Sequence, residues 1–211
     1  MSIFSKTNKL AANQNVKTCQ RPSADDAKEA VRTLIRWAGD NPEREGLVET
    51  PQRVIDAFQE FYAGYAENPD EILAKTFDDV AGYDEVVLLK NMRFESHCEH
   101  HMVPIIGKAH IAYLPDKKVV GISKIARLLD VFAKRLQTQE IMTQQIADTI
   151  ERVLEPKGVA VIIDANHECM STRGVHKSDS TTVTTQMRGL YKTDTAARAE
   201  LMRLVTSSDI G

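Results

Sequence analysis

Between residues 25 and 38 apolar side chains return every three or four positions, at Ala27, Ala30, Val31, Leu34, Ile35 and Ala38. That period predicts an amphipathic helix, which Gly39, Asp40, Asn41 and Pro42 end. A second stripe, Val54, Ile55, Ala57, Phe58, Phe61 and Tyr62, follows Thr50, read as the N-cap, and Pro51 in the first turn. After Pro69 the pattern changes. Residues 85–94 and 105–114 read as strands, the second alternating up to Pro115, with a histidine-rich segment over 96–104 between them. Ser123 is expected to cap a helix over about 124–135, and a longer helix covers about 139–154. Gly158 leads into an apolar strand over 159–165, 180–187 is a Thr-rich final strand, and a last helix spans roughly 195–205. Residues 1–22 carry no apolar period and read as a mobile tail. The order is α+β with antiparallel hairpins, not the alternation of a doubly wound sheet.

Composition narrows the function. With 42% hydrophobic and 27% charged residues, the 211-residue chain can bury a sizeable core. A formal net charge of −3 argues against a general binder of nucleic acid or of membrane surfaces, so an anionic ligand would need a local cluster of Lys and Arg. The opening residues are polar, and no stretch has the length of a signal h-region or a membrane span. Three cysteines, Cys19, Cys98 and Cys169, cannot form a disulfide framework. A reduced, cytoplasmic setting is expected, where cysteines more often bind metal than each other.

The densest chemistry is Cys98, Glu99, His100 and His101. A thiolate and an imidazole three residues apart can face one ion from a single tight turn. A second cluster, His167, Glu168 and Cys169, leaves the end of another predicted strand. Singly, a cysteine is usually a small buried hydrophobe, and a closed structural Cys2His2 site with His100 or His167 as fourth ligand is an alternative. Structural sites usually bring two ligand pairs, however, and the second cluster has one thiolate. Cys98, His101 and Cys169 instead make a set of three that leaves one tetrahedral position for water, whose pKa zinc lowers to about 7. His100 and His167 would then be placed to move protons.

Ser123 and Lys124 at a helix start, with Arg127 one turn on, make a possible phosphate cradle. Taken alone, such cations are more often a solvated helix face. Arg173, four residues after Cys169, would bring a third cation near the metal. Gln139 and Glu140 can read the edge of a base, although an ordinary helix start is the plainer reading of that pair.

These segments resemble one family closely. C-E-H-H (98–101), G-I-S-K-I-A-R (121–127), R-L-Q-T-Q-E (135–140) and H-E-C-M-S-T-R-G (167–174) are similar to the signature segments of GTP cyclohydrolase I, and E-G-L-V-E-T-P-Q-R-V (45–54) to its N-terminal helical motif. The resemblance runs from about residue 45 to 205 and keeps all five in order. It implies conversion of GTP to 7,8-dihydroneopterin triphosphate and formate, the first step toward tetrahydrofolate and other pterins. It implies zinc on Cys98, His101 and Cys169, with His100 as main general acid/base and His167 as a second proton-transfer or positioning group. Glu140 would anchor guanine with Gln139 nearby. The triphosphate would fall to Ser123, Lys124, Arg127 and Arg173, with Arg53 contributed by a neighbouring subunit. The implied fold is the tunnelling fold, an antiparallel sheet with helices on one face. It would occupy residues 81–211 and follow a helical region over 23–80. The implied assembly is a homo-oligomer, a decamer of two stacked pentamers with active sites between subunits. No nucleic-acid or membrane partner is implied. His97 departs from the pattern, which leads us to expect a small or hydroxyl residue there. As a third imidazole beside the metal loop it could compete as a ligand, but it is expected to face solvent.

Three other readings compete. A nitrile reductase of queuosine synthesis would use a lone nucleophilic cysteine and NADPH, which the paired Cys98 and His101 argue against. A non-enzymatic protein with a closed zinc site would leave no open coordination position. A zinc module binding nucleic acid would carry a basic stripe, which this chain lacks.

Overall fold

The computed structural model describes residues 20–77 and 83–207. Most of the expected tail, with Cys19, and the expected boundary between residues 80 and 81 lie outside the described residues. Helix α1 (Ala24–Trp37) starts at a capping box. The Ser23 hydroxyl accepts from the Asp26 N–H at 3.1 Å, and the Asp26 carboxylate accepts from the Ser23 N–H at 3.1 Å. Helix α2 (Thr50–Phe61) begins one residue earlier than expected. Glu49 is its N-cap and Thr50 is already helical, so Thr50 caps nothing. The two helices pack on one another, yet no residue of α1 is buried, and Trp37 stays 88% exposed.

A 3-10 turn (Ala63–Ala66) then clamps this helical pair to the rest of the chain. The Gly64 N–H donates to Lys134 O at 3.1 Å, and Arg135 returns two bonds to Gly64 O at 3.1 and 2.9 Å. The approach requires glycine, because a Cβ at position 64 would lie 2.2 Å from the Val131 carbonyl oxygen. Helix α3 (Pro69–Leu73) and the two-residue strand β1 (Thr76–Phe77) follow.

The remaining elements are β2 (Val87–Cys98), β3 (Pro104–Leu114), β4 (Val119–Val120), α4 (Ile122–Ala133), β5 (Leu136–Gln137), α5 (Gln139–Leu154), β6 (Gly158–His167), α6 (Glu168–Ser171), β7 (Thr182–Gly189), α7 (Leu190–Thr193) and α8 (Thr195–Thr206). β1 pairs with β4, and a five-stranded sheet runs β5-β2-β3-β6-β7. All its neighbours are antiparallel except β5, which runs parallel to the end of β2.

Alternation along β3 and β6 sends side chains to two faces. Ile105, Ala109, Ile111 and Tyr113, with Val159, Val161 and Ile163, meet α4 and α5 through Leu128, Phe132, Met142, Ile146 and Ile150. Ala112 and Ala160 face the other way and pack with Tyr191 and Leu201 of α7 and α8. Helices therefore cover part of both faces, a correction to the expected one-sided arrangement. Among the described residues no helix is long and apolar enough to cross a membrane.

Candidate metal centre and active site

Topology brings the two metal-ligand clusters together. β2 and β6 are both antiparallel to the strand between them, so they run in the same direction and end at the same edge of the sheet. Neighbouring strands lie about 4.8 Å apart, which leaves roughly 10 Å between those two ends for side chains to close. Ile105 of β3 stands in register with Ser96 on one side and His167 on the other.

β2 runs four residues past its expected end and finishes at Cys98, which is buried at 5% exposure. The chain then turns tightly. The Met102 N–H donates to Cys98 O at 2.8 Å and the Cys98 N–H to Val103 O at 2.9 Å, with Met102 in the left-handed region at φ 55°. This turn aims His101 back at Cys98, with Sγ and Nδ1 3.9 Å apart. At the neighbouring strand end, α6 delivers Cys169.

The donor atoms of Cys98, His101 and Cys169 all lie within 4.8 Å of one another. Tetrahedral zinc with bonds of about 2.0–2.3 Å separates its ligand atoms by roughly 3.5–4 Å, so the set fits such an ion. The donors' own chemistry agrees. Burial pushes the Cys169 thiol up, and the adjacent Cys98 adds to the rise. A divalent cation is the species that reverses such a shift and holds two thiolates side by side.

The other histidines separate clearly. His100 is 67% exposed, with its Nε2 3.7 Å from the Glu99 carboxylate. His167 is half-buried, and its Nε2 lies 2.8 Å from Gln139 Oε1. Burial lowers its pKa, an effect the Glu140 carboxylate opposes. His97 does not face solvent as expected. It is 8% exposed, with ring centroids 4.6 Å from Phe61 and 5.5 Å from Tyr62, and it stands outside the metal group. Burial lowers its pKa too. It anchors the end of α2 beneath the metal turn.

The anion-binding candidates lie on separate elements of the chain. Arg173 reaches the metal group, with Nη1 3.2 Å from His101 Nε2. Ser123, Lys124 and Arg127 do not. α4 begins at Ile122 with Gly121 as N-cap, so Ser123 is a first-turn residue and not the cap. That end of α4 follows Val120, whose backbone N–H donates to the Tyr113 hydroxyl at 3.2 Å. Tyr113 is eight residues along β3 from Ile105, which is roughly 26 Å at about 3.3 Å per residue. Arg53 is exposed on α2 and ion-paired with Glu49.

Glu140 is exposed at the start of α5. Gln139, expected at the guanine edge, is instead fully buried at 0% exposure with its amide turned inward. The hydroxyls of Thr143 and Thr184 meet it there, and neither was singled out in the sequence. Their spacing gives no signal, because threonines on a helix and a strand 41 residues apart meet only in the folded chain.

Residues 27–206 match the family model described as GTP cyclohydrolase I. A GTP cyclohydrolase 1 of Brucella anthropi is 58% identical over 184 residues, covering 87% of this chain and 86% of the relative. That of Brucella suis is 56% identical over 186 residues, covering 88% and 87%. That of Hyphomonas neptunium is 57% identical over 185 residues, covering 88% and 90%. Among solved structures, the archaeosine synthase QueF-Like in the apo form aligns with a TM-score of 0.42 at 17% identity. It covers 49% of this chain and 93% of its own, too loose a likeness to weigh in either direction.

Proposed function

The chain belongs to the GTP cyclohydrolase I family, and from that premise we propose that it hydrolyses and rearranges GTP to 7,8-dihydroneopterin triphosphate and formate at a zinc ion held by Cys98, His101 and Cys169. The observation that carries the reading is the closeness of those three donors, within 4.8 Å of one another, beside two further imidazoles. A zinc ion on this set would supply Lewis-acid activation of water near neutral pH.

The chain's own residues would do the rest. Glu140 would accept from the amino group and ring N–H of guanine, holding C8 toward the metal turn. Water adds to C8 while His100 supplies the proton taken up at N7, and the five-membered ring opens. Hydrolysis of the resulting formamide releases formate, with His167 as the second proton-transfer group. The freed amine allows the sugar to open and rearrange before the dihydropterin ring closes with loss of water. The exposure of His100 supports its role, since the ring is free to meet substrate.

The triphosphate would bind Arg173 from one subunit and Ser123, Lys124 and Arg127 from another, with Arg53 added across a boundary. The start of α4 beside the Tyr113 hydroxyl, at the other end of β3 from the metal turn, supports a shared site. So does the outer face of α1, where Leu34 and Trp37 stand 64% and 88% exposed. The full reading is a cytoplasmic homo-oligomer, a decamer of two pentamers built on the tunnelling fold. Its product would serve tetrahydrofolate or a related pterin pathway.

Base selection tests the reading. The parent protein should release formate from GTP and none from ATP, and Glu140→Gln should keep its zinc while raising KM for GTP about tenfold or more. The loss follows from exchanging a charged acceptor for an amide that pairs with only part of the guanine edge. Equal formate release from ATP by the parent would show that Glu140 does not read the base.

A further inference from the structure

Gln139 is the first residue of α5, and its side chain runs inward beneath the end of β6. Its amide nitrogen lies 3.1 Å from Ile163 O, 2.8 Å from Thr182 O and 3.1 Å from Thr184 Oγ1. Carbonyl oxygens only accept, so the nitrogen end of the amide must face them, and the reverse orientation would set oxygen against oxygen.

The hydroxyls agree with that orientation. Thr143 donates to Gln139 O at 2.6 Å, so the 2.7 Å contact between Thr143 and Thr184 must carry the Thr184 hydrogen. Thr184 is then left to accept from Gln139. The two hydrogens of the amide nitrogen serve these three acceptors, and Gln139 Oε1 is left facing His167 Nε2 at 2.8 Å. An amide oxygen can only accept, so Nε2 carries the proton. The neutral ring therefore presents Nδ1 as a bare lone pair.

We propose that Gln139 is a positioning residue that locks His167 in its Nε2–H form, so that Nδ1 is the proton-accepting atom offered to the substrate. Thr143 and Thr184 fix the amide that does the locking. Gln139 acts through His167 and does not read guanine. The inference rests on the proton-transfer role given to His167 above. A ring free to flip or change tautomer would spend part of its time with a donor where an acceptor is needed, which slows turnover without weakening substrate binding.

The test uses the full-length zinc-loaded protein and a double-mutant cycle. Gln139→Leu should keep zinc and the KM for GTP within about twofold and lower kcat by about 10–100-fold, the usual cost of removing a residue that orients a working imidazole. Gln139→Glu should recover little of that loss, because its second oxygen would face the Ile163 and Thr182 carbonyls and its charge would favour a ring protonated on both nitrogens. In a His167→Ala background, Gln139→Leu should cost nothing further, because its target is gone. Thr184→Val, a near-isosteric change, should give a smaller kcat loss that also vanishes in that background, and it serves if Gln139→Leu does not fold. A raised KM with kcat held, or the same loss with and without His167, would overturn the inference and leave His167's role standing. An unchanged kcat in His167→Ala alone would overturn that role, and the inference with it.

Discussion

Cys169→Ala loses the metal and the turnover of GTP together, with activity falling to less than about one thousandth of the parent. The metal group has three protein donors among the described residues, and they come from two separate strand ends. Cys98 and His101 share one tight turn and remain close without Cys169, but two donors make a weak site that water competes for. The expected loss is large because a bound zinc would lower the pKa of its water to about 7. The fold should survive. Cys169 packs at the edge of the main core while Cys98 sits within it, so circular dichroism and urea unfolding should change little. Metal analysis alongside initial rates checks the prediction. One equivalent of zinc with a near-normal rate in this variant would mean that the donor set is misassigned.

His100→Ala keeps zinc and loses about 10²–10⁴-fold in kcat, the range a general acid/base contributes. The side chain is 67% exposed, with the Glu99 carboxylate 3.7 Å away and the His101 ring centroid 6.3 Å away. A loss without a change in stability is therefore chemical in origin. His97 is the natural control. It is buried against Phe61 and Tyr62, so His97→Ala should lower the midpoint of unfolding more than it lowers the rate per bound zinc. A His100→Ala protein with full zinc and more than about half the parent rate would remove His100 from the mechanism.

Much of the site can be read from the chain because its chemistry is local. Cys98 and His101 are one turn apart, and the strand preceding His167 and Cys169 opens with an apolar run over 159–163. The second long helix, expected over 139–154, is α5 (Gln139–Leu154) with the same bounds, since Thr138 caps it and Glu155 ends it in the left-handed region. What cannot be read is set by distant partners. Ser96 and His97 are polar and suggest a loop, yet they extend β2 because α2 covers them and β5 pairs beside them. The two-residue strands β1, β4 and β5 are too short to show a period. Ser123 looks like a cap by residue type, but the helix starts one residue before it. Gln139 looks like a surface residue, and only the carbonyls of Ile163 and Thr182 explain why it is buried. Spacing along the chain likewise gives no hint that Val120, just before α4, meets the Tyr113 hydroxyl.

A zinc ion on these three donors is proposed to open the purine ring of GTP. The most direct measurement follows formate and the absorbance of a dihydropterin together while the purified protein, stripped by a chelator, is titrated with zinc in excess GTP. The stripped protein should give no product, and both products should rise in equal amounts until about one zinc is bound per chain. Neither product from a protein carrying one zinc per chain would contradict that proposal, and so would full turnover by the stripped protein.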